Sequence, residues 1–114
     1  MTGDRIDLAR ACYAAYERGD RAAMEDLVGE GFRFWSPVDD GIDRAAYFER
    51  CWPNHGSHRS FQYERLEEIS GDEVLVTYVA ERTDGTRFRN TEVLTFDGGK
   101  LVKAEVYFGW DIVE

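Results

Sequence analysis

The chain has 114 residues and a mass of 13.1 kDa, enough for one domain over residues 1–114 with a modest core and too little for a second. Hydrophobic residues make up 43% of the chain and aromatic residues 14%, a composition that excludes an intrinsically disordered protein. The 23 acidic and 14 basic residues give a formal net charge of -9, which would repel a nucleic-acid backbone or an anionic membrane and excludes both as expected partners.

The absence of a recognisable targeting signal, together with the cysteine usage, predicts a cytoplasmic protein. No apolar run approaches the roughly 20 residues of a membrane-spanning helix. Residues 1–5 lack the basic start and the apolar stretch of a signal peptide. The two cysteines, Cys12 and Cys51, are therefore expected to stay reduced.

The chain begins with the pattern of two helices. Apolar side chains at steps of three and four predict a first helix over residues 4–18. Asp20 is placed to cap a second helix that runs to Val28. Gly29 and Gly31 are expected to end this unit.

A short strand and a third helix follow. Residues 32–36 alternate in the manner of a strand that a proline then ends, and residues 39–41 have the composition of a turn. Asp43 is placed to cap a third helix that runs to about Cys51. Residues 52–58 are predicted to form a loop.

The second half of the chain has the pattern of strands. Segments rich in β-branched and aromatic residues, separated by glycine-containing turns, predict strands over residues 61–69, 73–83, 86–96 and 101–110. The predicted order is therefore α-α-β-α-β-β-β-β. Helices followed by an antiparallel meander indicate an α+β fold with the helices against one face of the sheet.

Turn lengths predict which strand residues share the core face. A two-residue hairpin loop at 84–85 places Thr77 opposite Glu92, and a three-residue loop at 97–99 aligns the last strand. A two-residue loop at the second turn would put Leu101 on this face instead. We therefore predict the three-residue loop, because it places on the core face the apolar side chains of Phe88, Leu94, Phe96, Val102, Val106 and Phe108.

Two polar residues, Asn90 and Glu92, share this apolar face. A carboxylate buried among apolar side chains is costly unless its pKa rises, it is hydrogen-bonded, or it lines a water-filled pocket. Such a carboxyl group is a candidate functional residue. The other interpretation is a satisfied structural network in which Glu92 contacts an arginine or a tyrosine of a helix.

The opposite face of the predicted sheet is too apolar to be well solvated. It carries Val76, Tyr78, Val93 and Tyr107 beside Arg89, Thr91 and Glu105. Exposed patches of this kind usually mark interfaces, which predicts a homodimer through the outer sheet face.

Two stretches of the chain have a recognisable pattern: YERGD at 16–20, followed by a short helix and FWSP at 34–37, and NTEVLTF at 90–96, followed by GKLVKAEVYFG at 99–109. They resemble the nuclear transport factor 2-like superfamily, which includes the ketosteroid isomerases and the SnoaL-like polyketide cyclases. The resemblance implies a cone-shaped, strongly bent mixed sheet wrapped around three helices, with a pocket at its open end. Members of the superfamily are commonly dimers.

The resemblance to the ketosteroid isomerases is incomplete at their catalytic positions. Glu92 falls where that family places an acid of its oxyanion hole. The position of the family's base holds Ser36, and that of its oxyanion tyrosine holds Cys12, with Tyr16 one turn later. Two of the three positions depart from the pattern, which argues against ketosteroid isomerase chemistry and leaves the wider superfamily open.

These observations predict a cofactor-free, metal-free SnoaL-like domain with a pocket for a small apolar molecule. If it is an acid–base isomerase or cyclase, its catalytic residues are Glu92, Asn90 and Tyr16. The residues expected to contact the ligand are Phe34, Ser36, Asp40, His55, Phe88, Val106, Phe108 and Trp110. The alternative is a non-catalytic ligand-binding or dimerisation module. A third candidate is an epoxide-type hydrolase that holds a water between Asp40, Asn90 and Glu92.

Overall fold

The computed structural model describes residues 5–113, without the side chains of residues 55–59. Its elements are α1 (Arg5–Arg18), α2 (Arg21–Leu27), β1 (Val28–Ser36), β2 (Asp39–Asp43), α3 (Arg44–Arg50), a 3-10 helix (Trp52–Ser57), β3 (His58–Ser70), β4 (Glu73–Arg82), β5 (Arg87–Asp97) and β6 (Lys100–Ile112). The order α-α-β-β-α-β-β-β-β confirms the α+β class and adds one strand, β2, to the predicted order. The segment after α3, predicted to be a loop, is a short 3-10 helix.

The strands form one mixed sheet of six strands in the order β2-β1-β6-β5-β4-β3. Strand β1 runs parallel to β6, and the other neighbours are antiparallel. The sheet is not strongly curled, in contrast to the strongly bent sheet that the resemblance implies. Its edges, β2 and β3, stay unpaired with each other, and the helices cover one face, which we call the inner face.

The predicted helix caps are confirmed. The Asp20 carboxylate accepts a hydrogen bond from the backbone N–H of Ala23 at 3.1 Å, and that of Asp43 accepts one from Ala46 at 2.9 Å. Each bond satisfies an N–H group that has no partner within its helix, which fixes where α2 and α3 begin.

Two predictions about the first strand are wrong. Gly29 and Gly31 lie within β1, and residues 39–41 begin β2 after a tight turn at 37–38. The pairing shifts between Phe34 and Trp35 because Gly41 is an extra residue in β2. Gly41 has a φ of 69° and lies against the Trp35 ring. The glycine that makes residues 39–41 look like a turn is therefore needed for a β-bulge.

The predicted pairing of β4 with β5 is wrong by one residue. The N–H of Arg82 donates to the carbonyl of Thr86 at 2.8 Å, which closes a three-residue loop whose last member, Gly85, has a φ of 91°. Val76 therefore lies opposite Glu92, in place of Thr77. A one-residue slip turns every side chain of the strand to the other face.

The predicted pairing of β5 with β6 is also wrong. The loop has two residues, 98–99, and it brings Leu101 opposite Phe96 in the core. A bulge then leaves Val102 without an opposing residue, so that Glu92 lies opposite Val106 in place of Ala104. Because of this bulge, the residues of β6 that are predicted to face inward after it still do so.

The core lies between the helices and the inner face of the sheet. Its largest fully buried side chains are those of Phe32, Phe96, Val74 and Val76. Trp52 is buried against Phe48 of α3 and Tyr16 of α1. Within residues 5–113, none of the helices has both the length and the apolar character needed to cross a membrane.

Candidate functional site

A cavity of about 490 Å³ opens between the helices and the inner face of the sheet. It is lined by these residues predicted to form the site: Tyr16, Phe34, Ser36, Phe88, Asn90, Glu92, Val106, Phe108 and Trp110. Asp40 does not line it, and the side chain of His55 lies outside the described part of the chain. The cavity is large enough for a small organic ligand.

Asp40 is exposed, whereas its neighbour Asp39 is buried and lines the cavity. The two side chains point to opposite sides because successive residues of a strand alternate. The hydrolase candidate required Asp40 to hold a water together with Glu92. The position of Asp40 removes that candidate.

Glu92 lies on the inner face of β5 between apolar neighbours. Val76 on β4 and Val106 on β6 are its cross-strand partners. Burial raises the pKa of the Glu92 carboxyl group, and hydrogen bonding by Tyr78 together with the nearby Tyr13 hydroxyl offsets part of this rise. The side chain keeps some exposure because it lines the cavity, so a ligand can reach it.

A directed chain of hydrogen bonds holds Glu92. The backbone N–H of Gly109 donates to Oδ1 of Asn90 at 3.1 Å, which orients the amide so that its Nδ2 donates to the Tyr78 hydroxyl at 3.4 Å. The Tyr78 hydroxyl donates in turn to Oε2 of Glu92 at 2.8 Å. The chain leaves Oε1 of Glu92 as the oxygen available to a proton or a ligand.

A bulge in β6 supplies the first donor of this chain. The pairing shifts between Phe88 and Asn90, where β6 carries one residue more than β5. A side chain at Gly109 would overlap the backbone carbonyl of Arg89, so this position requires glycine.

Tyr13 of α1 is a second polar group beside Glu92. Its ring is buried against Phe61 and Tyr78, with centroid distances of 5.3 and 5.5 Å. Its hydroxyl is buried and lies within hydrogen-bonding reach of the Glu92 carboxyl group, although no bond of good geometry reaches it within the described part of the chain. The hydroxyl oxygen has almost no surface open to the cavity, so its effect is on the Glu92 carboxyl group, whose charged form it favours.

Tyr16 and the two cysteines also line the cavity. Tyr16 packs edge-on against Trp52, and burial, followed by the nearby Glu92, raises the pKa of its hydroxyl. Burial raises the pKa of Cys12 to about 12 and that of Cys51 to about 11. Both thiols are free and stay protonated at neutral pH, so neither is activated as a nucleophile.

The β1–β2 hairpin forms another part of the cavity wall. The Ser36 hydroxyl donates to Oδ2 of Asp39 at 2.8 Å and accepts from the N–H of Val38 at 3.1 Å. Arg50 of α3 contacts Oδ1 of Asp39 at 3.0 Å. These contacts fix a carboxylate next to the position at which the ketosteroid isomerases carry their base.

Aromatic side chains surround the open end of the cavity. Phe108 and Trp110 are 56% and 64% exposed although both are large and apolar. Arg82 stacks on the Phe88 ring at 4.4 Å and pairs with Asp111 at 3.2 Å. The rim is therefore apolar with one ion pair across it.

Three polar residues of the site, Tyr13, Tyr78 and Asp39, lie outside the predicted set. Tyr13 belongs to the apolar stripe that predicts α1, and Tyr78 is predicted on the outer face because of the one-residue slip. Asp39 is predicted in a turn. The signal in the sequence for Tyr13 and Tyr78 is that a buried carboxyl group needs hydrogen-bond donors, which buried tyrosines can supply.

The sheet, the helices and the polar cluster define an α+β domain of the nuclear transport factor 2-like fold with an apolar cavity. The family profile described as SnoaL-like domain matches residues 9–104, and the chain belongs to this family. The search for similar sequences among curated proteins found no match.

Solved structures confirm the fold. A Kribbella flavida protein described as a "putative ketosteroid isomerase" is 16% identical, with a TM-score of 0.78 over 96% of this chain and 81% of its own. A second Kribbella flavida protein is 17% identical, with a TM-score of 0.81 over 90% and 84% of the two chains. A Cytophaga hutchinsonii protein described as NTF2-like and of unknown function is 18% identical, with a TM-score of 0.73 over 95% and 94%.

Proposed function

We propose that this SnoaL-like domain binds an apolar small molecule that bears a carbonyl or hydroxyl oxygen, and acts on it as a cofactor-free acid–base isomerase or cyclase. The observation that carries the proposal is a carboxyl group of raised pKa, Glu92, on the wall of an apolar cavity. The buried hydroxyl of Tyr13 lies beside this carboxyl group, within hydrogen-bonding reach of it.

The hydrogen-bond chain supports a role for Glu92 as an acid. Since Tyr78 donates to Oε2, a protonated Glu92 carries its proton on Oε1 and donates it toward the cavity. A protonated Glu92 that donates to a carbonyl oxygen of the ligand would stabilise the negative charge that develops there when a hydroxide ion from the solvent takes a proton from the neighbouring carbon.

The fold is consistent with this chemistry without specifying it. The similarity to the Kribbella flavida protein named after ketosteroid isomerase extends over almost the whole chain. At 16% identity this similarity is evidence for the fold and not for the activity, so the proposal depends on the geometry around Glu92.

The test measures proton exchange next to a carbonyl group. Binding of α-tetralone, an apolar ketone, is measured by calorimetry, and loss of its α-protons in heavy water is followed by NMR. We expect the protein to accelerate this exchange, and Glu92→Leu to lower the acceleration by about 100-fold or more, as expected for loss of a general acid. The matched control is Glu105→Gln on the outer face of β6, which should leave exchange unchanged. Exchange that is equal in Glu92→Leu would refute the catalytic role of Glu92.

A second candidate is a binding domain without catalysis. The observation that favours it is Ser36, which stands where the ketosteroid isomerases carry a carboxylate base. In this case α-tetralone binds, Glu92→Leu weakens its binding, and no exchange above background occurs. Turnover of a bound compound would exclude the binding-only function.

A further inference from the structure

Asp39 is a buried carboxylate at a part of the cavity wall remote from Glu92. Its side chain is 7% exposed, whereas its ion-pair partner Arg50 is 54% exposed and does not line the cavity. The carboxylate therefore faces the cavity on one side, and its charge is balanced from the other.

The strand register gives the spacing of Asp39 and Glu92 across the sheet. Asp39 on β2 lies opposite Ser36 on β1, and Trp35 lies beside Glu105, which brings Ser36 next to Val106 on β6. Val106 lies opposite Glu92. The Cα atoms of Asp39 and Glu92 thus stand in one row across the sheet, three strand spacings or about 14 Å apart.

Asp39 keeps acceptor capacity for a ligand. An ionised carboxylate has about four lone-pair sites, and the contacts from Ser36 and Arg50 use one site on each oxygen. Since Arg50 already balances the charge, a neutral hydroxyl donor is favoured over an ammonium group, which would compete with the arginine.

We propose that the cavity has a second polar subsite at Asp39, and that its ligand is an elongated apolar framework with an oxygen at the Glu92 end and a hydroxyl group at the other. This inference rests on the proposed function for the Glu92 end. The apolar walls between the two ends, which include Phe34 and Val106, exclude polar groups from the middle of the framework.

The test compares rigid probes that differ by one hydroxyl group. Affinities are measured by calorimetry for para-phenylphenol and para,para′-biphenol, and for the longer pair of mono- and dihydroxylated trans-stilbene. In one pair or both, we expect the second hydroxyl to tighten binding by about tenfold or more, the effect of a hydrogen bond to a charged acceptor. Asp39→Ala should abolish this gain while it still binds the monohydroxylated probe, which also shows that the variant is folded.

A matched variant separates the loss of the Asp39 carboxylate from a general disturbance of the strand. Asp40→Ala alters the exposed neighbour and should keep the gain. A gain that persists in Asp39→Ala, or no gain in either pair with the unmodified protein, would overturn the second subsite alone. Failure of every probe to bind would overturn the proposed function as well.

Discussion

The hydroxyl of Tyr78 on β4 lies 2.8 Å from Oε2 of Glu92 on β5, and this hydrogen bond depends on the exact length of one turn. With a two-residue loop at the β4–β5 hairpin, Tyr78 would face outward. The observed three-residue loop, closed by Arg82 and Thr86, turns it inward beside the carboxyl group. The turn therefore helps to set the chemistry of Glu92.

The raised pKa of Glu92 predicts that the free energy of unfolding depends on pH. Its ordinary value is 4.5, and in the folded protein it is higher. The native state then holds the proton more tightly, so this contribution to stability is complete below pH 4.5 and is lost as pH rises through the folded value.

Glu92→Gln removes this titration. Relative to the variant, the unmodified protein should lose up to about 1.4 kcal/mol of stability per pH unit within that window. Denaturant unfolding at a series of pH values measures the difference, in which the titrations of exposed acids cancel. Parallel stability curves for the two proteins would contradict the prediction.

Removing the Tyr78 hydroxyl should raise the pKa of Glu92 further. Its hydrogen bond favours the charged carboxylate, and Tyr78→Phe eliminates it. Titration of the Glu92 carboxyl carbon by carbon-13 NMR measures the shift. Tyr63→Phe is the control, since the Tyr63 ring contacts Tyr13 but does not contribute to the pKa of Glu92. An unchanged titration in Tyr78→Phe would refute the hydrogen bond.

Gly109→Ala should destabilise the protein by about 2–4 kcal/mol. The added methyl group would collide with the Arg89 carbonyl, so the bulge must shift and Asn90 loses its backbone donor. Gly31→Ala is the matched control, because Gly31 is exposed in β1 and its side-chain position is empty. Denaturant unfolding compares the two, and equal stabilities would contradict a requirement for glycine at the bulge.

The outer sheet face still predicts a homodimer, although Val76 and Tyr78 belong to the inner face. Tyr107 remains 54% exposed there, beside the partly buried Val93. We expect sedimentation to show a dimer at micromolar concentration and Tyr107→Glu to produce a monomer, because a charge in an apolar interface is costly. The control, Val113→Glu, alters an exposed apolar residue near the chain end and should stay dimeric. A monomeric unmodified protein would refute the prediction.

Local sequence patterns suffice to predict the helices, their caps and the inward direction of Glu92. Asp20 and Asp43 accept the predicted backbone N–H groups, since a cap involves residues only three positions apart. Glu92 and Asn90 face inward because β5 alternates regularly with the apolar residues around it. These features depend on neighbours within one element.

The tertiary structure alone decided which residues from other strands meet Glu92. Turns with glycine accommodate two or three residues at similar cost, and a bulge adds one residue to a strand, so the pairing of β5 with its neighbours is fixed only when the whole core packs. That packing brought Tyr78 to Glu92 and turned Asp39 from a predicted turn residue into part of the cavity wall. The site is formed by contacts between strands. The packing energy that fixes these contacts comes from residues far apart in the chain.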